Sequence, residues 1–266
     1  MAVIDSISYA LKCWSAAIPR FLFAVGPQMI LSRTESLRTV QGFLDFCDRR
    51  HKDPLLGTLE LQQLLPLSEI KLMGNFADTH SSETRDLREL CALGLLASHV
   101  KGGKIFEFGT FIGRTTRLLA LNAGLKSEVY TIDLQQDLVD HEIGQEFKES
   151  PENAQICQLL GDSVRYDFSD FSNTIDFCWI DGAHDFEHCW SDTKYALMMV
   201  KAGGFIAWHD YRHTAWWSGV TKAVRLANRL FGGGVRHIAG TTMAILHVET
   251  RNKDLAKEAN KGVPTL

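Results

Sequence analysis

From Lys104 onward, short apolar runs alternate with stretches of helical spacing. The runs "KIFEFG" (104–109), "EVYTID" (128–133), "ICQLL" (156–160), "IDFCWID" (175–181) and "GFIAWH" (204–209) each predict a buried strand. The first is followed by "IGRTTRLLALNAG", where Thr115, Leu118, Leu119 and Asn122 share a helix face and Gly124 marks the stop. Regular alternation of strand and helix specifies an α/β, doubly wound, mostly parallel sheet. The pattern then changes: "GVRHIAGTTMAILHVE" reads as two strands joined at Gly240-Thr241, a terminal hairpin with one antiparallel strand.

Upstream, a helix is predicted from about Ser82 to Val100, capped by Ser81 or Ser82 and stopped by Gly102-Gly103. Before it, residues 1–80 show helix-like patterns such as "SLRTVQGFLDFCDRR" and no convincing strand, and the polar "NFADTHSSETRD" reads as a hinge. Three parts are expected: an N-terminal helical cap over 1–80, roofing the ligand crevice or making a dimer contact; a sheet domain over 81–250; and a polar, fraying tail over 251–266.

Composition narrows the function classes. With 45% hydrophobic and 23% charged residues and a net charge of -4, the chain has no basic footprint for nucleic acid. The apolar opening "ISYALKCWSAAIPRFLFAVGPQMIL" is broken by Lys12, Pro19, Arg20 and Pro27. No run there reaches the roughly 20 apolar residues of a spanning helix, so packing is expected, with peripheral membrane contact as the alternative. Cys13, Cys47, Cys91, Cys157, Cys178 and Cys189 show no C-x-x-C spacing. They read as reduced thiols of a cytoplasmic protein.

The first strand ends in a glycine-bearing turn, but its pattern is E-x-G-x-x-x-G rather than the G-x-G-x-x-G that cradles pyrophosphate. Glu107 there would repel phosphates and favour a cationic ligand. In an open parallel sheet the ligand lies beyond the carboxyl ends of the strands. The polar residues at those ends are Glu107 and Gly109, Asp133, Gly161-Asp162-Ser163, Asp181, and His209-Asp210. Asp133 stands where an acid can accept both ribose hydroxyls. Asp162 can accept from an adenine amino group, or only cap a helix. His184, three residues past Asp181, is a candidate base or substrate clamp. Trp216 and Trp217 could form a flat platform for a ring, although core packing is the plainer reading.

Together "FEFGTFIGRTT", "VYTIDL", "LLGDSV", "IDFCWIDGAHDFEHCW", "GGFIAWHDY" and "GTTMAIL" resemble the class I S-adenosylmethionine-dependent methyltransferases, in the small-molecule O-methyltransferase-like branch with an IDGxH…GG…HD signature. The resemblance implies a Rossmann-like, seven-stranded sheet of order 3-2-1-4-5-7-6 with its last strand antiparallel. It implies that Glu107, Gly109, Thr110, Gly113 and Thr115 line the methionine part of S-adenosyl-L-methionine, that Asp133 holds the ribose, and that Asp162 and Ser163 hold the adenine. In metal-dependent relatives a trio at the positions of Asp181, His209 and Asp210 binds a divalent cation. Imidazole at the middle position favours Mn, Fe, Co or Zn over Mg; the alternative is that the two acids only cap the following helix and loop.

The expected function is methyl transfer to a hydroxyl of a small metabolite, with Asp181, His184, His209 and Asp210 as acceptor-activating residues and a homo-oligomer as one arrangement. Two rivals are weighed beside it. An NAD-dependent oxidoreductase is opposed by Glu107 and the missing third glycine. A non-catalytic binding subunit of the same fold is opposed by the four acceptor-site residues.

Overall fold

The structure is a computed structural model that describes residues 55–73, 87–211 and 218–249, all within one compact unit, Lys52–Leu266. Its strands are β1 (Thr58–Leu59), β2 (Lys104–Phe108), β3 (Glu128–Asp133), β4 (Ile156–Leu160), β5 (Ile175–Ile180), β6 (Val200–Trp208), β7 (Arg236–Ile238) and β8 (Ala244–His247). The longer helices are α1 (Leu87–Ser98), α2 (Arg114–Ala123), α3 (Phe186–Met199) and α4 (Ser218–Leu230). They surround one eight-stranded sheet of order β1-β7-β8-β6-β5-β2-β3-β4.

From β2 to β8 this is the expected order, with β8 antiparallel to both β6 and β7. The eighth strand is an addition. Thr58 and Leu59 pair in parallel with His237 and Ile238, inside the segment read as a helical cap. Two residues are too few to show the alternation by which a strand is recognised. The rest of that cap (1–54 and 74–86), the proposed Ser81 or Ser82 cap, Trp216, Trp217 and the tail 251–266 lie outside the described residues.

Alternation along the strands builds two cores. Ile105, Phe177 and Trp179 face α1 and α2, where they meet Leu93, Leu96, Leu118 and Leu119. Phe106, Phe108, Cys178 and Ile180 face α3 and α4, with Trp190, Met199, Val220 and Val224. Both faces of β2 and β5 are thereby dry, which is why they read as continuous apolar runs. Among the described residues no helix is long and apolar enough to cross a membrane, and the cysteines Cys91, Cys157, Cys178 and Cys189 are free thiols.

Phe106 is fully buried and its ring lies 5.0 to 5.5 Å from those of Phe108, Phe168 and Phe171. Phe106→Ala should destabilise the fold by about 3–5 kcal/mol, through lost transfer energy and the cavity left behind. Urea unfolding checks this; a loss below about 1 kcal/mol would mean the aromatic cluster collapses to fill the gap.

Candidate active site

The strands end together because their registers match. Phe108 pairs with both Ile132 and Ile180, and Ile180 pairs with Trp208. The next residue of each strand, Gly109, Asp133, Asp181 and His209, therefore emerges at one level. Gly109, at φ 95, is held so close to β5 that a Cβ there would stand 2.3 Å from the Asp181 carbonyl oxygen. Only glycine fits this turn.

Beside the turn lies a cavity of about 570 Å³ whose lining includes Gly109, Phe111, Asp133, Leu134, Asp162, Ser163, Asp181, His184 and Asp192. Its charged lining is acidic, with no lysine or arginine among the lining residues. One Asp133 carboxylate oxygen accepts from the amides of Thr110 (3.0 Å) and Phe111 (2.6 Å), and the other from the Leu134 amide (2.7 Å). The amides that would otherwise face a phosphate are thus already occupied by a carboxylate. Asp162 accepts from the Val164 amide at 3.0 Å and lies 3.5 Å from the Arg165 guanidinium, while Ser163 donates to the buried Asp192 at 2.7 Å. Burial pushes the Asp192 carboxyl up to about 7, against the pull of that hydroxyl and of His188.

At the cavity wall and just behind it, three acids and two imidazoles come together around the ends of β5 and β6. His184 Nε2 lies 2.7 Å from Asp210 Oδ2. His209 directs Nδ1 to Asp181 Oδ1 (3.1 Å) and Asp210 Oδ2 (3.3 Å), and Nε2 to Glu89 Oε2 (3.1 Å). Burial alone would lower the affinity of His209 for a proton, but Asp181, Asp210 and Glu89 outweigh it and hold the ring well above its ordinary 6.5. Burial would likewise raise Asp210, yet its hydrogen bonds to His184 and His209 hold it below the usual carboxylate range. Asp210 adopts a left-handed φ of 53, a conformation that aspartate tolerates better than most residues.

Residues 106–211 match the family model described as a methyltransferase domain. No curated protein matches the chain. Among solved structures, the chain is similar to the O-methyltransferase from Bacillus cereus in complex with SAH, at 17% identity and a TM-score of 0.45, covering 63% of this chain and 81% of that one. It is similar to TomG from Streptomyces achromogenes, an O-methyltransferase involved in tomaymycin synthesis, at 16% identity and a TM-score of 0.46, covering 71% and 86%. A third is CalS11, the TDP-rhamnose 3'-O-methyltransferase of calicheamicin biosynthesis, at 18% identity and a TM-score of 0.49, covering 62% and 80%.

Of the residues singled out in the sequence, the fold places Gly109, Asp133, Asp162, Ser163, Asp181 and His184 on the cavity wall. Glu107, Thr110, Gly113 and Thr115 are not in that lining. Thr110 is buried, with its hydroxyl 2.7 Å from that of Thr131, and Gly113 is the left-handed N-cap of α2. The expected cation trio of Asp181, His209 and Asp210 stands beside a second grouping among the described residues. Both nitrogens of His209 are turned to carboxylates, and the three groups whose ligand atoms lie within 4.8 Å of one another are Asp181, His184 and Asp210. Glu89, Asp192, Phe111 and Leu134 went unremarked in the sequence. A glutamate inside the apolar helix "LRELCALGLLAS" was a usable signal for the first of these.

Glu107 faces the α2 side of the sheet, fully buried, and one of its oxygens accepts from Thr116 (2.5 Å) and Thr131 (2.8 Å) while the other has no partner. Burial pushes this carboxyl up to about 8; the two threonine hydroxyls counter it, and Asp181 and Asp133 add to it. An unfolded chain gives up the same proton near the ordinary 4.5. Between those values the unfolded state binds fewer protons, so this group makes stability fall as pH rises. The slope from one such group is at most about 1.4 kcal/mol per pH unit. Glu107→Gln should flatten the stability of the protein between about pH 5 and about pH 8 relative to the parent. Urea unfolding across that range checks it; parallel curves for the two proteins would show that Glu107 ionises normally.

Proposed function

We propose that the chain transfers a methyl group from S-adenosyl-L-methionine to a hydroxyl of a small metabolite. The observation that carries this reading is the acidic cavity beside a glycine turn whose amides are already bound by Asp133. A sulfonium with an ammonium group suits Asp133, Asp181 and the other acids through opposite charge, whereas a pyrophosphate meets repulsion and finds no open amides. NAD chemistry is thereby disfavoured. Asp133 retains acceptor capacity for ribose hydroxyls, since each carboxylate oxygen can take more than one hydrogen bond.

Methyl transfer is an in-line displacement, so most of the rate comes from holding the acceptor oxygen against the methyl carbon. The hydroxyl must also lose its proton. His184 is the base this reading assigns: Asp210, 2.7 Å from its Nε2, orients the ring and stabilises the imidazolium formed when the proton arrives. His209 is unsuited to that role, because its neighbours keep it charged. A second reading of the same residues is a divalent cation held by Asp181, His184 and Asp210. Two carboxylates and an imidazole suit Mn, Fe, Co or Zn, and such an ion would acidify the acceptor hydroxyl. The free thiols Cys91, Cys157, Cys178 and Cys189 support a reducing, cytoplasmic setting.

Calorimetry should show S-adenosylhomocysteine binding, with NAD and NADP failing to bind, and Asp133→Ala should weaken the complex by about 1–3 kcal/mol. Tighter binding of either nicotinamide cofactor would end the methyltransferase reading. With methyl-labelled cofactor and a panel of hydroxylated acceptors, His184→Ala should lower turnover by about 100-fold or more. Loss of activity on chelation and its return with Mn would select the cation reading, and indifference to chelator the His184–Asp210 pair. Undiminished turnover in both His184→Ala and Asp210→Asn would exclude the two together.

A further inference from the structure

Glu89 lies on α1, outside the matched span, and is only 4% exposed. A buried glutamate in an apolar helix must be compensated, and the compensation here leads to the proposed acceptor site. Its Oε1 accepts from both the amide (2.5 Å) and the hydroxyl (2.9 Å) of Thr242, just before β8. Its Oε2 faces His209 Nε2 at 3.1 Å. His209 Nδ1 in turn stands between Asp181 and Asp210, and Asp210 meets His184.

We propose that Glu89 is a positioning residue of this site: anchored by Thr242, it fixes the His209 ring, and the ring sets the spacing of Asp181 and Asp210. The geometry is that of a brace. Thr242 holds one carboxylate oxygen, so the other can point only at the ring. With both nitrogens engaged, the imidazole cannot swing away from the two aspartates, whose like charges would otherwise push them apart. The purpose given to Glu89 rests on the acceptor-activating reading above; the brace itself can be tested without cofactor or acceptor.

Glu89→Gln keeps an oxygen for Thr242 and changes only what faces His209. In nitrogen-15 spectra of the full chain, assigned with His209→Asn and His184→Asn, this variant should shift the ring signals of both His209 and His184. Were Glu89 merely a tie to Thr242, the amide signals of β8 would move and the ring signals would not, and the proposal would be overturned. Titration with MnCl2 adds a second readout. If the parent binds Mn, Glu89→Gln should bind it about tenfold or more weakly, with S-adenosylhomocysteine affinity unchanged; equal weakening of both ligands would mark a general loss of structure and also overturn the proposal. Should Glu89→Gln fail to fold, Thr242→Val removes one of the two anchors, and unshifted ring signals in that variant would count against the brace. Absence of S-adenosylhomocysteine binding by the parent would instead strike the methyltransferase reading and leave the ring signals to judge Glu89.

Discussion

A parallel sheet brings the carboxyl ends of its strands to one rim, and in this chain those ends carry acids. Glu107, Asp133, Asp181 and Asp210 all stand at or beside the ends of β2, β3, β5 and β6. Like charges gathered at that range disfavour one another's ionisation. The fold is tenable only if each acid is neutralised, paired or left facing a ligand of opposite sign.

The chain meets this constraint by a different means at each acid. Asp133 is paired with backbone amides of the turn it abuts. Glu107 is pushed far enough up to keep its proton near neutral pH, because burial deprives its charge of water. Asp181 and Asp210 share one imidazole, and Asp210 has a second in His184. These devices are not equivalent in pH. The stabilisation from the raised His209 is complete below the ordinary 6.5 and is lost as pH climbs through the raised value. The contribution of the lowered Asp210 is present above the ordinary 3.8 and lost as pH falls through the depressed value. Between those limits the pairing of β5 and β6 ends is at its firmest.

The sheet was legible because β2 to β6 each carry a short apolar run bounded by turn residues, and the hairpin because of Gly240. Strand β1 was not, since its two residues owe their conformation to β7 rather than to any local preference. The rim residues were legible by position: an acid at the end of a predicted strand can be named from the sequence alone. Their orientation was not. Whether Glu107 faces the cavity or the core depends on Thr116 and Thr131, one on a helix and one on a neighbouring strand. Likewise, His209 or His184 as the nitrogen partner of the two aspartates depends on which ring Glu89 engages from 120 residues away. Long-range hydrogen bonds of this kind leave no periodicity to read.

The same dependence explains the terminal hairpin. "GTTMAIL" was readable as part of the terminal hairpin and of the family resemblance, without any role at the site suggesting itself. In the fold, Thr242 donates to Glu89 through both its amide and its hydroxyl, while its carbonyl accepts from the Tyr211 amide at 2.8 Å, immediately after Asp210. An antiparallel strand can reach the rim in this way because its amino end lies beside the carboxyl ends of its parallel neighbours: Ala244 pairs with Trp208. An eighth parallel strand would bring its carboxyl end there instead. The reversal of β8 therefore does more than fill the gap between β6 and β7; it delivers amide and hydroxyl donors to a place where the fold has gathered an excess of carboxylates.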